Sequence, residues 1–211
     1  MSLPFQVNKI VAVKSYLVFA GNDGKLVISR CQDGEFDQMN LQHHELQDVG
    51  DIFDVVECER APGSEEQLVN IMLCTKNGLR FVSFKEHPGR KLWVKLQEER
   101  YFPEKFCIGA CEYEPGYIVA AVRSQNALLL ISRESRTAVG SIPNDSGDMT
   151  YFGMKPLGNG LIFIRDRKFI SVVDPKKKKL IKLIAAPITM DMNRVCSFDV
   201  ALSEAFESTP I

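Results

Sequence analysis

Few of the residue types on which enzymes and metal sites depend are present in this chain. Its 211 residues include three histidines and one tryptophan, and the six cysteines, at positions 31, 58, 74, 107, 111 and 196, show no paired Cys-x-x-Cys spacing. The Gly-x-Ser-x-Gly elbow of hydrolases, the phosphate-binding Gly-x-x-x-x-Gly-Lys loop and the Gly-x-Gly-x-x-Gly dinucleotide fingerprint are all missing. We therefore expect a protein that is not an enzyme and that has no cofactor and no metal.

An excess of charge of either sign is also missing. Lys and Arg number 26 and Asp and Glu number 27, a formal net charge of -1, so no overall field attracts nucleic acid or an anionic membrane. No window approaches ~20 uninterrupted apolar residues, the length of a membrane-spanning helix, and Met1-Ser2-Leu3-Pro4 does not open a secretory signal. We expect a soluble protein without a membrane span. It would lie in the cytoplasm, with the nucleus as an open alternative, because cysteines inside apolar segments suit a reducing compartment.

The apolar residues that are present follow the pattern of strands. Short runs rich in Val, Ile and Phe end at Gly, Asn, Asp or Pro, and the i, i+3, i+4, i+7 spacing of long amphipathic helices is nearly absent. Four hairpins of one design recur, at 16–29, 69–84, 117–132 and 161–174. Gly24 and Gly78 stand in the first two turns, where a tight hairpin requires a positive φ. The sequence therefore predicts an all-β fold.

The hairpins belong to longer repeated units. A candidate first strand precedes each hairpin, at 9–13, 52–57, 106–113 and 150–155, and a more polar fourth strand follows it, at 35–41, 91–97, 137–142 and 180–184. Four antiparallel strands repeated every ~40–50 residues are typical of β-propeller blades. We predict blades over 7–47, 48–102, 103–143 and 144–186, a partial fifth blade over 187–202 and a polar tail over 203–211.

The centre of the first unit resembles a known repeat. Ala20-Gly21-Asn22-Asp23-Gly24-Lys25-Leu26-Val27-Ile28 is similar to the centre of a WD-repeat blade, in which a small-residue strand, an Asp-Gly-type turn and an apolar strand follow one another. The resemblance covers roughly residues 7–186. The family's Gly-His and Trp-Asp pairs are missing; Val173-Asp174 is the nearest approach to the second, and Trp93 lies at a fourth-strand position. The resemblance implies a divergent WD-repeat-like β-propeller.

Four blades are few for a closed ring of that class. Unpaired blades leave strand edges and apolar faces exposed. We therefore expect this chain to be part of a larger propeller or to complete its ring with another chain. The function that follows is a non-catalytic protein–protein interaction scaffold within an intracellular multiprotein complex, with other protein subunits as its partners.

An enzyme or small-ligand-binding propeller with a site in the central channel is the alternative. The loops that enter the first strands, 48–51, 103–105 and 144–149, would then supply the polar groups. The test is whether their carboxylates converge on one channel: Asp48, Asp51, Glu104, Asp145 and Asp148. The carboxylates around the polar segment 60–64 are interpreted as part of a solvated insertion and not as an acid–base pair: Glu57, Glu59, Glu65 and Glu66.

The one concentrated charge feature is a run of four lysines, Lys176, Lys177, Lys178 and Lys179, in the predicted outer turn of the fourth blade. Four lysines can contact phosphate, acidic protein or anionic lipid headgroups, so they are the candidate contact residues for a polyanion or a partner. A solvated turn that discourages strand-to-strand aggregation is the favoured interpretation, because no base-stacking aromatic residues stand beside it.

The histidines and two of the cysteines are interpreted as structural. His43, His44 and His87 are expected in polar loops between blades and outside any metal site. Cys107 and Cys111 fall in one predicted strand. Because side chains alternate along a strand, the two thiols would share a face about 13 Å apart, too far to bind one metal unless a bulge intervened.

Overall fold

A computed structural model of the chain describes residues 3–32, 35–36, 41–58, 68–87, 92–143, 151–157, 160–166 and 169–185. Its regular structure consists of strands and two single 3₁₀ turns, at Asn22–Gly24 and Arg123–Gln125. The predicted all-β fold is therefore confirmed. Within the described ranges, no helix is long and apolar enough to cross a membrane. The predicted fifth blade and polar tail lie outside the described residues.

The strands form four antiparallel sheets that follow one another along the chain. The first sheet contains β1 (Val7–Val13), β2 (Tyr16–Gly21) and β3 (Lys25–Gln32), and both β4 (Glu35–Phe36) and β5 (Gln42–Glu45) pair with β3. The second contains β6 (Ile52–Glu57), β7 (Val69–Thr75), β8 (Gly78–His87) and β9 (Leu92–Tyr101). The third contains β10 (Cys107–Glu114), β11 (Tyr117–Val122), β12 (Ala127–Ser132) and β13 (Thr137–Pro143). The fourth contains β14 (Tyr151–Pro156), β15 (Ile162–Asp166), β16 (Phe169–Asp174) and β17 (Lys179–Ala185).

The sheets pack in series through their first strands. β1 lies against β6, β6 against β10, and β10 against β14. In the second, third and fourth sheets, consecutive strands are neighbours, and in the first sheet β4 and β5 both follow β3, so the chain meanders outward from the first strand. The first strands thus surround a common axis and the later strands radiate from it, which is the arrangement of propeller blades.

Three apolar layers fill the spaces between consecutive sheets. β7 shows how one strand serves two of them, since Ile71 and Leu73 pack into the layer shared with the first sheet and Met72 and Cys74 into the layer shared with the third. A strand that is buried on both faces is apolar at most positions, as β7 is except at Asn70 and Thr75. This explains why the second strand of a sheet, such as β7, has a nearly continuous apolar sequence and does not alternate between apolar and polar residues.

A β-bulge interrupts the first strand of every sheet near its start. The register shifts between Val7 and Lys9 in β1, between Ile52 and Asp54 in β6, and between Tyr151 and Gly153 in β14. In β10 the shift falls between Cys107 and Gly109. An extra residue reverses the alternation of side chains beyond it.

The bulge in β10 corrects the prediction that Cys107 and Cys111 share a face. Cys107 packs between the second and third sheets, whereas Cys111 packs between the third and fourth. The sequence pattern gave no sign of the extra residue, because Gly109 and Ala110, which follow the shift, fit either register.

The prediction that the three histidines lie in loops between blades is wrong. His43 and His44 lie in β5, which takes the fourth position of the first sheet, and His87 is the last residue of β8. The predicted fourth strand at 35–41 is confirmed at Glu35–Phe36, which pair with the end of β3, and residues 37–40 lie outside the described residues. The longer pairing with β3 comes from β5, which was not predicted. An outer strand has one exposed face, so a polar segment such as Gln-His-His-Glu can form it. The ring of His44 lies against Phe84, with centroids 5.2 Å apart.

Two glycines fix the hairpin turns as predicted. Gly24 has a φ of 70° and Gly78 a φ of 93°. A Cβ atom on Gly24 would collide with the carbonyl oxygen of Leu46, and one on Gly78 with the carbonyl oxygens of Tyr101 and Phe102. Gly116 also has a positive φ, 80°, but a Cβ there would meet no atom within 4 Å.

We expect Gly24→Val and Gly78→Val to be more destabilising than Gly116→Val. The positive φ costs each variant about 1 kcal/mol, and the first two must also displace backbone carbonyl groups. Urea unfolding of the three variants measures the difference. Parent-like unfolding of Gly24→Val and Gly78→Val would show that the hairpin register is wrong, and equal losses in all three would show that the carbonyl contacts do not matter.

Candidate functional site

A cavity of about 310 Å³ lies at the axis, where it is lined by the first strands of all four sheets. This volume is at the lower end of the range of ligand-binding pockets. The charged lining residues are Lys9, Asp54, Glu57, Glu112 and Lys155. The remaining lining residues are apolar or small: Val11, Ala12, Val55, Val56, Ala110, Cys111, Gly153, Met154 and Pro156.

The cavity is bordered by strand edges. Consecutive residues line it, at 54–57, 110–112 and 153–156. Because neighbouring side chains of a strand point to opposite faces, a consecutive run means that the strand turns its edge to the cavity. In the part of the chain that the structure describes, β6, β10 and β14 each pair with one strand only. On the other edge of β6 the Ile52 carbonyl accepts from the Asn8 Nδ2 at 3.1 Å and the Val55 N–H donates to the Asp54 side chain, so side chains already bind part of this edge.

One ion pair joins the first and second sheets inside the cavity. The Lys9 Nζ lies 2.8 Å from the Asp54 Oδ1, and the Asp54 side chain is 6% exposed. The Val55 N–H also donates to the same oxygen, at 3.0 Å. Removing Lys9 would leave a buried carboxylate without its cation, which is costly. This pair therefore has a structural role in addition to lining the cavity.

A second set of contacts joins the second and third sheets. Glu112 Oε1 accepts from the Arg133 Nη1 at 3.2 Å and from the Gly116 N–H at 2.9 Å. The Arg133 guanidinium lies over the ring of Phe81, 4.7 Å from its centroid. The Tyr101 hydroxyl donates to a carboxylate oxygen of Glu99 or to the Arg133 carbonyl, at 2.9 and 3.1 Å. Burial, together with Glu99, raises the pKa of Tyr101 to about 12, so this phenol stays protonated.

Glu57 differs from the other carboxylates of the cavity. It is the last residue of β6 and is exposed. Within the described ranges it has no ion-pair partner, whereas Asp54 is paired with Lys9 and Glu112 with Arg133. The lining as a whole holds three carboxylates and two ammonium groups.

The loop carboxylates that the catalytic alternative requires do not line this cavity. The Asp48 Oδ2 lies 3.5 Å from the Arg100 Nη2, and the Asp51 Oδ1 accepts from the Asp23 N–H at 3.4 Å. Glu104 is also not among the lining residues. Asp145 and Asp148 lie outside the described residues. The described loop carboxylates therefore do not converge on the axis.

Arg80 anchors one of those loops. Its side chain is 1% exposed, its Nη2 donates to the Asp48 carbonyl at 2.8 Å, and its Nε lies 3.7 Å from the Glu98 Oε1. Burial, and then the nearby Arg100, lower the pKa of Arg80. The Nη2 hydrogen bond ties the loop between the first two sheets to β8, while the buried Nε and Nη1 have no hydrogen-bond acceptor among the described residues.

The cysteines have the properties of core residues. Cys31, Cys58, Cys74, Cys107 and Cys111 are free thiols, and the last four are buried. Burial raises the pKa of Cys107 and of Cys111 to about 12 and raises those of Cys58 and Cys74 as well. A thiol that stays protonated is a poor nucleophile and a poor metal ligand. No group of three possible metal ligands occurs within the described ranges.

The lysine turn joins β16 to β17 and reaches back to the third sheet. The Lys176 ammonium pairs with Glu114, and the Lys178 Nζ donates to the Val139 carbonyl at 3.0 Å. The Lys177 Nζ lies 3.4 Å from the Asp174 Oδ2. The hydrogen bond from the Lys177 N–H is the main cause that lowers the pKa of Asp174. At least three of the four lysines thus contact acceptors of the protein itself.

Sequence reasoning missed the cavity because its residues are far apart in the chain. Lys9, Asp54, Glu112 and Lys155 each stand inside a first strand that is otherwise mainly apolar. A charged residue at a similar place in successive repeats is a signal that could have identified a shared polar axis. Glu57 was instead assigned to a solvated loop, because it directly precedes a long polar segment.

Comparison with known proteins supports the fold. No family model and no curated protein matches the sequence. A protein of unknown function from Bacteroides caccae is 11% identical, with a TM-score of 0.61, over 88% of this chain and 63% of that chain. The β-propeller domain of Cps50 (Swd1) from Myceliophteria thermophila is 10% identical, with a TM-score of 0.52, over 79% of this chain and 51% of that domain. The predicted β-propeller fold is confirmed, and the chain spans less than two thirds of each of these structures.

Replacing Lys176, Lys177, Lys178 and Lys179 together by Gln should leave the protein folded and its binding to a polyanion such as heparin unchanged. Its solubility should fall, because the charge beside an outer strand is lost. The matched control replaces the scattered Lys25, Lys76, Lys85 and Lys105, which changes the net charge equally. A large loss of heparin binding in the first variant alone, without loss of solubility, would contradict the structural interpretation.

Proposed function

We propose that this chain is a non-catalytic scaffold for protein–protein interaction, a WD-repeat-like propeller segment of an intracellular multiprotein assembly. The outer face of β1 is the observation that carries the proposal. Ile10 is 57% exposed there, and Ala12 on the same face is also exposed. On the opposite face, Val11 and Val13 pack into the first apolar layer.

The corresponding strands of the next two sheets have a neighbour on each side. In β6, Val55 packs towards the first sheet and Val56 towards the third. In β10, Ala110 packs towards the second sheet and Cys111 towards the fourth. The first strands in the middle of the series are thus covered on both sides, whereas β1 presents Ile10 to solvent. On the same face of the first sheet Phe19 and Val27 are buried, so the open apolar area is confined to β1. An apolar face of this kind favours the binding of a further blade.

The solved propeller domain of Swd1 is longer than this chain, which spans 51% of it. Its length is consistent with a ring that has more blades than the four described here. We propose that protein partners supply them and that the completed ring presents its turns to other subunits.

The chemistry of the described residues favours binding over catalysis. The cavity carboxylates Asp54 and Glu112 are held in ion pairs, and the buried thiols stay protonated. Free cysteines also suit the reducing compartments of the cell, so we place the protein in the cytoplasm, with the nucleus as an alternative.

Ile10→Lys should weaken self-association or binding of a ring-completing partner by about tenfold or more, because a charge replaces an apolar side chain that the contact would bury. Val139→Lys is the matched control, since Val139 is 43% exposed but lies on an outer strand of the third sheet. Light scattering against protein concentration measures the effect. Equal behaviour of the two variants would contradict the assignment of the β1 face.

A further inference from the structure

The extra residue of each bulge in the first three sheets reaches towards the next sheet of the series. In β1 it is Asn8, whose Nδ2 donates to the Ile52 carbonyl of the second sheet at 3.1 Å. In β6 it is Phe53, whose ring lies 4.8 Å from the ring of Phe106, in the connection that enters the third sheet. In β10 it is Ile108, which packs against the layer shared with the fourth sheet. Each bulge thus directs one side chain across a junction between sheets.

At the junction of the second and third sheets, this arrangement places a cation over an aromatic pair. Arg123 begins the 3₁₀ turn of the third sheet, and its N–H donates to the Phe106 carbonyl at 3.0 Å. Its guanidinium lies over the Phe106 ring, 5.5 Å from the centroid. Phe53 and Phe106 are half-buried and Arg123 is exposed, so the three side chains form one surface. We call this surface, made of Phe53, Phe106 and Arg123, the aromatic platform.

The guanidinium of the platform has donors that no carboxylate uses. In the part of the chain that the structure describes, Arg123 makes no ion pair and its side chain contacts only the ring. By contrast, other arginines have a carboxylate oxygen at 3.0 to 3.7 Å: Arg80, Arg100, Arg133 and Arg136. A guanidinium stacked on a ring keeps its N–H groups free at its edge and is held in place before an acceptor arrives. The stacking therefore lowers the entropy cost of binding a carboxylate.

The charged residues that flank the platform do not cancel this cation. Lys105 directly precedes Phe106, and Glu104 precedes Lys105. On the other side, the Lys76 N–H donates to the Asp51 carbonyl at 3.0 Å, two residues before Phe53. Lys76 and Lys105 balance Asp51 and Glu104, so among the described residues Arg123 remains as one positive charge in excess. The platform therefore favours a single anionic group beside an apolar one.

We propose that the aromatic platform binds a segment of a partner protein, with an aspartate or glutamate carboxylate on Arg123 and a neighbouring apolar side chain against the two rings. The inference rests on the proposed scaffold function, because the ligand is then part of another subunit. Aromatic residues and arginine are the types that most often dominate the binding energy of protein interfaces. A nucleic acid is a poorer fit, since the net charge of -1 supplies no field for a polyanion.

Ligand-observed NMR titration of the full chain with the blocked peptide acetyl-Phe-Asp-Phe-amide tests the proposal. We expect this peptide to bind roughly threefold more tightly than acetyl-Phe-Asn-Phe-amide, the difference that an exposed ion pair makes. Equal binding of the two peptides, or no binding of the aspartate peptide, would overturn the proposal. Tighter binding of a pentathymidylate than of the aspartate peptide would overturn it in favour of a nucleic acid, whose bases also stack on aromatic rings.

Three variants locate the site through the ratio of the two affinities. Arg123→Gln should abolish the preference for the aspartate peptide, because the carboxylate then has no cation to pair with. Arg136→Gln is the matched control, since Arg136 is exposed in a turn of the same sheet but pairs with Glu99, and it should keep the preference. Phe53→Leu should weaken both peptides equally, because only the ring contact is lost. A preference that persists in Arg123→Gln, or that is lost in Arg136→Gln, overturns the assignment.

Ile10→Lys separates the two proposals. It should impair assembly and leave the peptide preference intact, while Arg123→Gln should do the reverse. If assembly depends on Ile10 but the aspartate peptide does not bind, only the platform is wrong. If the peptide binds as expected but assembly is indifferent to Ile10, only the ring-completing role of β1 is wrong.

Discussion

The second and third sheets have apolar residues on both faces, and the sheets on either side bury them. The layer between the first and second sheets takes its members from both, as do the two layers that follow. Burying one Val, Leu or Ile side chain contributes roughly 1.5–3 kcal/mol, so the stacking of blades provides most of the stability that the hairpins lack by themselves. The same requirement makes the exposed face of β1 the feature most in need of a partner.

Packing around an axis also explains where the charged groups lie. The first strands turn their edges to the centre, so side chains near that edge reach the cavity while their neighbours enter the apolar layers. Ion pairs such as Lys9 with Asp54 cross from one sheet to the next and secure the angle between them. Glu57 lies at the end of its strand, and no ion pair within the described ranges ties it to another sheet.

Local chemistry made much of the fold predictable. Gly24 and Gly78 were recognised because a tight hairpin turn needs a residue that tolerates positive φ, and the apolar runs around them could only be buried strands. The errors have different causes. β5 was missed because an outer strand is polar on its exposed face. Cys107 and Cys111 lie on opposite faces of β10, and not on one face as predicted, because of a bulge that leaves no mark in the sequence. The cavity brings together residues from 9 to 156, which no local pattern connects.

Sedimentation equilibrium of the chain alone measures whether the four blades form a stable monomer or associate. Because Ile10 and Ala12 remain exposed on β1, the average mass should exceed the 23.8 kDa of one chain and should rise with protein concentration. A folded species that remains at 23.8 kDa over the whole accessible concentration range would contradict the proposal that a further blade binds at β1, since the exposed strand would then need no partner.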